Sequence, residues 1–266
     1  MKTDIVYQED CIEGMKKIPS NSIDLVLTDP PYGITACEWD KPIDLKNFWV
    51  EIKRVLKENG CVIVTASQPF TTDLINSNRE MFKYCLIWVK SRRVGFSIAN
   101  KQPMRMYENI LVFYDKQPIY NPQLEEKPKE DIRFRKKQPK SKKGVYGIAQ
   151  DGVKDVFEKR TIPIDKNYPS NVLFFKSNCN SKTFHPTQKP VELFKYLIKT
   201  YSNENQLVLD CFAGSGTTAI ACIETNRKYI CFENNPQYFK IINNRIKSAK
   251  SQTQLSNESC PTEDLI

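Results

Sequence analysis

The chain has 266 residues, of which 40% are hydrophobic, and it can therefore bury a substantial core. This composition excludes a wholly disordered chain, and the formal net charge of +9 favours an anionic partner. No apolar run reaches the ~18 residues of a membrane span, and the first residues lack the apolar core of a signal peptide. We expect a soluble, intracellular protein.

Nine cysteines and a single histidine restrict the metal and nucleophile chemistry that is available. No two cysteines form a Cys-x-x-Cys pair, which argues against a zinc ribbon or a redox pair. Cys61, Cys85 and Cys231 lie inside apolar runs, where a thiol is usually a small buried hydrophobe. Because His185 is the only histidine, we predict neither a catalytic triad nor a metal site.

The first part of the chain alternates short apolar runs with amphipathic stretches. The apolar runs predict strands at residues 5–7, 23–27, 61–64, 84–89 and 109–113. Residues 45–56 have helical spacing, and a loop is predicted at 90–107. This alternation is typical of an α/β domain with a largely parallel sheet.

Residues 116–182 differ from the rest, with repeated prolines, many charges and no sustained apolar period. We therefore predict an inserted module there. The stretch from 133 to 143 carries seven basic residues and no acid. It is either a solvated loop or an arm that contacts phosphates, and the candidates for such contacts are Arg133, Arg135, Lys136, Lys137, Lys140, Lys142 and Lys143.

The α/β pattern resumes after this module. It predicts helices at 190–201, after Gly216 and at 237–246, and strands at 206–210 and 228–232. Pro190 suits the first helical position, because the amide that proline lacks has no partner there. Residues 250–266 are polar and aperiodic, which predicts a disordered tail.

One candidate site follows the strand at 206–210, which ends in an acid and leads into a glycine-rich turn. Gly214 and Gly216 let the backbone approach a ligand, and the start of the next helix offers free amides. Glu233, after the following strand, has the spacing of a ribose-binding acid. The pattern indicates a nicotinamide cofactor or S-adenosylmethionine, and the missing Walker lysine excludes a P-loop.

A second candidate site, Thr28-Asp-Pro-Pro-Tyr-Gly33, follows the strand at 23–27. An exocyclic amino group is a poor nucleophile, because its lone pair is delocalised into the ring. Asp29 and the carbonyl of Pro30, held rigid by Pro31, could accept its hydrogens and turn the lone pair towards a methyl donor. Tyr32 offers a face on which a base extruded from a duplex could stack. A tight turn made by two prolines is the plainer alternative.

Together these motifs resemble the amino-group DNA methyltransferases. Asp29-Pro-Pro-Tyr32 precedes Asp210-x-Phe212-x-Gly214-x-Gly216, and a variable region lies between them, as in the permuted subgroup called the beta class. The resemblance covers residues 4–115 and 168–249. It implies a circularly permuted, Rossmann-like methyltransferase fold with catalytic parts at 1–115 and 183–249 and target recognition at 116–182.

The resemblance also implies S-adenosylmethionine as the cofactor. Asp10 corresponds to the acid that contacts the cofactor adenine, Glu233 to the ribose acceptor, and Lys189 or Thr187 to a partner of the methionine carboxylate. The full implied set is Asp10, Cys11, His185, Thr187, Lys189, Asp210, Phe212, Gly214, Ser215, Gly216, Thr217, Thr218, Glu233 and Asn234. Trp88-Val-Lys90 resembles a strand before a loop near the target base, so Lys90 joins the DNA-binding candidates.

The chain departs from the family pattern at two places. Cys211 stands where relatives often have proline, and Met106-Tyr-Glu108 stands where His-Glu is expected. Neither residue touches the proposed reacting atoms, so these departures concern the details of the pocket.

Adenine N6 in double-stranded DNA is the expected target, because relatives that methylate cytosine N4 more often have serine at position 29. Cytosine N4 stays open as the alternative. Methylation of the cytosine ring needs a cysteine after proline, and no Pro-Cys pair occurs. Methyltransferases of RNA or glutamine usually begin the tetrapeptide with asparagine, and a binding module without catalysis would not need Asp29, Pro30 and Tyr32.

The resemblance further implies a bacterial or phage enzyme that works in the cytoplasm at the nucleoid. A homodimer and a partner restriction endonuclease are both compatible with it, and the sequence selects neither.

Overall fold

In a computed structural model, the residues that the structure describes are 1–35, 37, 40–127, 163, 165–177 and 188–258, with side chains up to 252. The chain divides into two units. The larger comprises Met1–Asn121 and the described residues from Asn171 onward, and the smaller is Pro122–Ser170.

The larger unit contains one mixed sheet. Its strands are β1 Ile5–Tyr7, β2 Ile23–Thr28, β3 Leu56–Ala66, β4 Phe82–Val94, β5 Arg105–Phe113, β8 Val172–Phe174, β9 Leu207–Asp210 and β10 Lys228–Phe232. The smaller unit contains a two-stranded antiparallel ribbon of β6 Glu125–Glu126 and β7 Lys166–Asn167.

Helices of the larger unit connect these strands. They are α1 Cys11–Met15, α2 Leu45–Val55, α3 Phe70–Ser77, α4 Val191–Tyr201, α5 Thr217–Glu224 and α6 Pro236–Glu258, with a 3-10 turn at Phe96–Ile98. None of the described helices is long and apolar enough to cross a membrane.

The strand order is β1-β10-β9-β2-β3-β5-β4-β8, and β5 is the strand that runs antiparallel to its neighbours. A mostly parallel sheet flanked by helices is a Rossmann-like α/β fold, which confirms the predicted fold class. β2 and β9 are adjacent at its centre although they are far apart in the sequence, with Leu25 opposite Val208 and Val26 opposite Leu209. Their carboxyl ends therefore meet at one edge, where ligand crevices open in such sheets.

Two apolar layers hold the helices against the sheet. On one face, α4, α5 and α6 pack against residues such as Leu25 and Val208, and on the other, α1, α2 and α3 pack against Val26 and Leu209. Side chains alternate between faces along a strand, so neighbouring residues enter different layers. Each fully buried side chain of this size contributes roughly 1.5–3 kcal/mol, which fixes the register of the central strands.

The predicted cysteine environments are confirmed for Cys61 and Cys231. Both are fully buried among apolar side chains, and burial raises the pKa of each thiol. Cys85 is only partly buried, because it lies nearer the edge of the sheet on β4.

Several predicted boundaries need correction. Pro190 is the N-cap of α4 rather than its first helical residue, since its backbone is extended. Residues 171–177, predicted to belong to the inserted module, lie in the larger unit, because β8 pairs with β4 there. α6 continues to Glu258, into the segment from 250 onward that was predicted to be a disordered tail.

Candidate active site

The two motifs line a single cleft at the carboxyl ends of β2 and β9. Its volume is about 800 Å³, and it is lined by Asp29, Pro30, Pro31 and Tyr32 on one side and by residues 210–215 on the other. The hydroxyl of Thr28 joins the two strands by donating to Asp210 Oδ1 at 2.8 Å. The turns are therefore close enough for one substrate to bridge them.

Asp210 organises the glycine-rich turn from a buried position. Besides Thr28, the hydroxyl of Thr218 donates to Oδ2, and the Phe212 amide donates to Oδ1 at 3.1 Å. Burial raises the pKa of Asp210 to about 6, against the opposing effect of these hydrogen bonds. Its carboxylate thus ties together a strand end, a turn and the first residues of α5.

Glycine is required at both ends of this turn. Gly214 and Gly216 have φ angles of +52° and +80°, in the left-handed region that other residues avoid. A Cβ on Gly216 would also lie 2.8 Å from the Ile242 side chain of α6. The tight turn leaves the amide of Gly214 free to donate to Glu233 Oε2 at 2.8 Å.

Two further carboxylates, those of Glu233 and Asp10, line the cleft. Glu233 follows β10, and its second oxygen accepts the amide of Asn235 at 2.8 Å. Burial raises the pKa of Glu233 in spite of these amides. Asp10 follows β1 and caps α1, where its Oδ1 accepts the amides of Ile12 and Glu13 at 2.8 and 3.2 Å.

Asp29 lies at the inner part of the cleft and receives three donors. The hydroxyls of Tyr32, at 2.8 Å, and Thr65 donate to Oδ1, and Lys189 Nζ donates to Oδ2 at 2.7 Å. A carboxylate with donors on both oxygens is fixed in orientation. Thr65 lies near the end of the neighbouring strand β3, a position that sequence reasoning did not select.

Lys189 belongs to a chain of alternating charges. Its ammonium, on a side chain that is 5% exposed, pairs with Asp29 and lies 3.3 Å from Glu108 Oε2. Glu108 also pairs with Lys90. Lys90 was predicted to bind DNA, but in this structure its ammonium is paired, although it lines the cleft.

Opposite charges outweigh desolvation in this chain of ion pairs. Burial alone would lower the pKa of Lys189, but Asp29 and Glu108 raise it. Burial alone would raise the pKa of Glu108, but Lys189 and Lys90 lower it. Lys189 and Glu108 therefore both stay ionised around neutral pH.

The ring of Tyr32 is held in place by its neighbours. Phe70 of α3 stacks on it at 5.6 Å with an interplanar angle of 19°, and Lys189 Nζ lies 5.4 Å from its centroid. Burial first, and then the charge of Asp29, raise the pKa of the phenol. Tyr32 is thus a fixed neutral aromatic surface beside the Asp29 carboxylate.

Asp40 anchors the loop after Tyr32 and was missed by sequence reasoning. Its carboxylate accepts the amides of Gly33, Ile34 and Thr35 at 2.8, 2.9 and 2.6 Å. Burial alone would raise the pKa of Asp40, but these hydrogen bonds and that of the Thr35 hydroxyl lower it. In the sequence, the glycine at position 33 was the available signal of a constrained turn, and the structure gives it a left-handed φ of +67°.

Most of the implied cofactor residues lie in this cleft. Its lining includes Asp10, Cys11, Lys189, Asp210, Phe212, Gly214, Ser215, Thr217, Thr218, Glu233 and Asn234. Gly216 is not in the lining, because it caps α5. His185, Thr187 and the basic stretch Arg133–Lys143 lie outside the described residues.

The β4–β5 hairpin adds a wall to the cleft, of which the sequence analysis had singled out only the segment Trp88-Val-Lys90. Trp88, Lys90, Arg92, Arg105 and Tyr107 line the cleft from this side. The Trp88 indole donates to the carbonyl of Phe175 at 2.9 Å, and Lys90 Nζ lies 5.3 Å from its centroid. This side of the cleft is therefore aromatic and basic.

Known proteins share both sequence and fold with this chain. DNA adenine methyltransferase YhdJ of Escherichia coli K12 is 31% identical, over 89% of this chain and 80% of its own. The M1.HpyAVI–SAM complex has a TM-score of 0.59 at 24% identity, over 90% of this chain and 98% of that one. The cytosine-N4-specific PvuII DNA methyltransferase has a TM-score of 0.63 at 16% identity, over 93% and 91%.

Residues 23–244 match the model of the DNA methylase family that groups N6 and N4 methyltransferases. This match spans the strands β2 to β10 and both motifs of the cleft. The chain belongs to the amino-group (N6/N4) DNA methyltransferase family.

Proposed function

We propose that the chain transfers a methyl group from S-adenosylmethionine to the N6 amino group of adenine in double-stranded DNA. The observation that carries the proposal is the single cleft in which Asp29 faces the glycine turn, with Thr28 and Asp210 hydrogen-bonded between them. This geometry supports a reaction between a base amino group and a methyl donor held side by side.

The donor groups of the cleft fit S-adenosylmethionine. The carboxylates of Asp10 and Glu233 suit an adenine and a ribose, and the glycine turn with the start of α5 suits the methionine end. M1.HpyAVI, which has the same fold, was crystallised with SAM. When bound, this cofactor supplies a methyl group on a positively charged sulfur.

Asp29 and Pro30 are the groups that we propose to position the base. Each accepts one hydrogen of the amino group, so that the nitrogen lone pair points away from the ring plane. The amino nitrogen that accepts the cofactor's methyl group would carry a positive charge until it loses one proton to the solvent. The Asp29 carboxylate stabilises this developing charge, and Tyr32 supports the ring.

Lys189 gives this step an additional requirement. Its ammonium occupies Asp29 Oδ2 at 2.7 Å, so the base amino group must share or displace that contact. We propose that Lys189 holds the carboxylate oriented until the base arrives, which assigns it to the target side instead of the methionine carboxylate.

Adenine is favoured over cytosine by the aspartate at position 29 and by the similarity to YhdJ, an adenine methyltransferase. N4 of cytosine is the second candidate, because the PvuII methyltransferase has the same fold and is cytosine-N4-specific. The two bases present the same kind of amino group, so the distinction depends on the shape of the target side.

Residues 122–170, the part of the predicted segment 116–182 that forms a separate unit, are proposed as the main target-recognition region of a circularly permuted enzyme. The basic stretch from Arg133 to Lys143 would contact backbone phosphates. Such contacts position the protein on DNA without specifying sequence.

Mapping of methylated bases tests this function. Methylation-free genomic DNA is incubated with the purified chain and S-adenosylmethionine, and modified bases are located by sequencing. N6-methyladenine in one sequence context is the expected result. N4-methylcytosine would establish the alternative, and DNA without any modified base would contradict the proposed activity.

A further inference from the structure

The β4–β5 hairpin ends in an exposed apolar tip. Phe96 is 85% exposed, more than any other large hydrophobic side chain among the described residues, and Val94 and Ile98 beside it are 38% and 39% exposed. A cluster of this kind on a protruding loop is typical of an interaction site.

The tip is held in this conformation by its own backbone. Gly95 has φ +93°, a left-handed turn that starts the 3-10 segment Phe96–Ile98. The amide of Ile98 donates to the Gly95 carbonyl at 3.2 Å, and that of Ala99 to the Phe96 carbonyl at 3.1 Å. The loop thus presents Phe96 outward in a defined geometry.

The charge around the tip selects the partner. Residues 89–107 contain five basic residues and no acid, namely Lys90, Arg92, Arg93, Lys101 and Arg105. The two arginines at 92 and 93 and the lysine at 101 are exposed on either side of Phe96. A flat aromatic ring flanked by cations complements a nucleic acid, in which charged phosphates surround stacked bases.

The position of the hairpin relates it to the cleft. β4 runs parallel to β2 and β9, so the hairpin leaves the sheet at the same edge as Asp29. Three residues of the hairpin line the cleft itself, namely Arg92, Val94 and Arg105. The tip therefore stands at the rim across which a target base must enter.

We infer that Phe96 is a DNA wedge that enters the base stack where the target base leaves it, with Arg92, Arg93 and Lys101 on the flanking phosphates. The inserted ring replaces part of the stacking that is lost on extrusion. This inference rests on the proposed function, because it assigns a role in delivering the base to the cleft.

The test compares methyl transfer to two duplexes that contain the same mapped site. In one, the target base is paired normally, and in the other, it lies opposite an abasic site and is already unpaired. Single-turnover rates are measured for the full chain and for Phe96→Ala and Phe96→Trp. Val50→Ala, which truncates a 58% exposed side chain on α2, is the control.

We expect Phe96→Ala to slow methylation of the paired duplex about tenfold and of the abasic duplex less than about twofold, since stacking of one aromatic gives effects of this order. Phe96→Trp and Val50→Ala should retain the wild-type rates. Binding of S-adenosylmethionine by Phe96→Ala should be unchanged, because Phe96 is not among the described residues that line the cleft.

Equal rates for Phe96→Ala and the wild type on both duplexes would overturn the proposed wedge. The exposed apolar tip would then be assigned to another partner. Equal losses on both duplexes would also overturn it, since a general DNA contact does not depend on pairing. If the wild-type chain methylates neither duplex, the proposed function itself fails, and this result is distinct from either outcome.

Discussion

Lys189 places a buried positive charge 2.7 Å from the carboxylate of Asp29. Glu108 and Lys90 continue the alternation of charges, so that each ionised group has a partner of opposite sign. Removing one member of such a set leaves an uncompensated charge, which costs more than the net interaction contributes. The Asp29 carboxylate therefore depends on residues that are remote from it in the sequence.

Substitution of Lys189 by methionine distinguishes its two possible roles. If Lys189 orients Asp29, methyl transfer should fall about 100-fold, roughly 2.7 kcal/mol, while the Kd for S-adenosylmethionine changes less than about threefold. Lys195→Met is the control, because this partly buried lysine of α4 pairs with Glu192 and Glu224 and is not among the described residues that line the cleft. A Kd that rises in step with the loss of rate would instead assign Lys189 to the cofactor carboxylate.

Asp210 predicts a pH dependence of stability. Burial raises its folded-state pKa to about 6, above the ~3.9 of an exposed aspartate. A raised carboxyl pKa stabilises the fold at low pH, and this contribution is lost as the pH rises through 6. The free energy of unfolding of the wild type, relative to Asp210→Asn, should fall by roughly 1–3 kcal/mol between pH 4 and 7. Urea titrations at several pH values measure it, and a constant difference would refute the assignment.

At the scale of elements, the strands that carry the two motifs were predictable and several others were not. β2, β9 and β10 are continuous apolar runs because they are buried on both faces. β8 has three residues and depends on its pairing with β4, a distant contact that no local pattern reveals. α6 extends beyond Ile246 because Ala249 still packs on the core, although the sequence there is polar.

The same distinction applies to the site. Asp29, Tyr32, Asp210 and Gly214 were predictable, because each belongs to a short motif with a chemical reason for its residue type. Thr65, Glu108 and Asp40 were not predicted, because they reach the cleft through the strand order and a loop closure. The positions of Lys189 and Lys90 were predicted, but their ionic partners follow from the fold alone.

The glycine turn gives a prediction about an element. Gly216→Ala places a residue with a Cβ at a left-handed φ of +80°, and that Cβ would lie 2.8 Å from the Ile242 side chain. Gly95→Ala also places an alanine at a left-handed φ, here +93°, but its Cβ would contact only the Ile98 side chain, at an ordinary 3.9 Å. Gly216→Ala should therefore destabilise the protein by about 1–3 kcal/mol more than Gly95→Ala, as for overpacking of a core. Equal urea midpoints for the two variants would contradict this prediction, because they would mean that α6 accommodates the added Cβ without a loss of stability.

At the scale of the whole molecule, the charge of +9 is interpretable through the family. A DNA methyltransferase must approach a polyanion, and basic residues release condensed counterions from it. The basic stretch at 133–143 and the β4–β5 hairpin are the two concentrations of positive charge that we propose to share this task.

The basic stretch predicts the salt dependence of DNA binding. Lys136→Gln with Lys137→Gln should reduce the slope of log K against log salt by about 1.8, from ~0.9 for each phosphate contact. Lys46→Gln with Lys53→Gln, a pair of exposed lysines on α2, removes the same charge and should leave the slope unchanged. Identical slopes for the two double variants, measured by fluorescence anisotropy, would remove the stretch from the DNA interface.

In the proposed mechanism, Asp29 turns a base amino group towards the methyl donor. Transfer of tritiated methyl groups to duplex DNA by Asp29→Ala, measured beside calorimetric binding of S-adenosylmethionine, tests it most directly. We predict that turnover falls by more than about 1,000-fold, roughly 4 kcal/mol, while cofactor affinity stays within about threefold of the wild type. An Asp29→Ala protein that methylates DNA at close to the wild-type rate would contradict the mechanism.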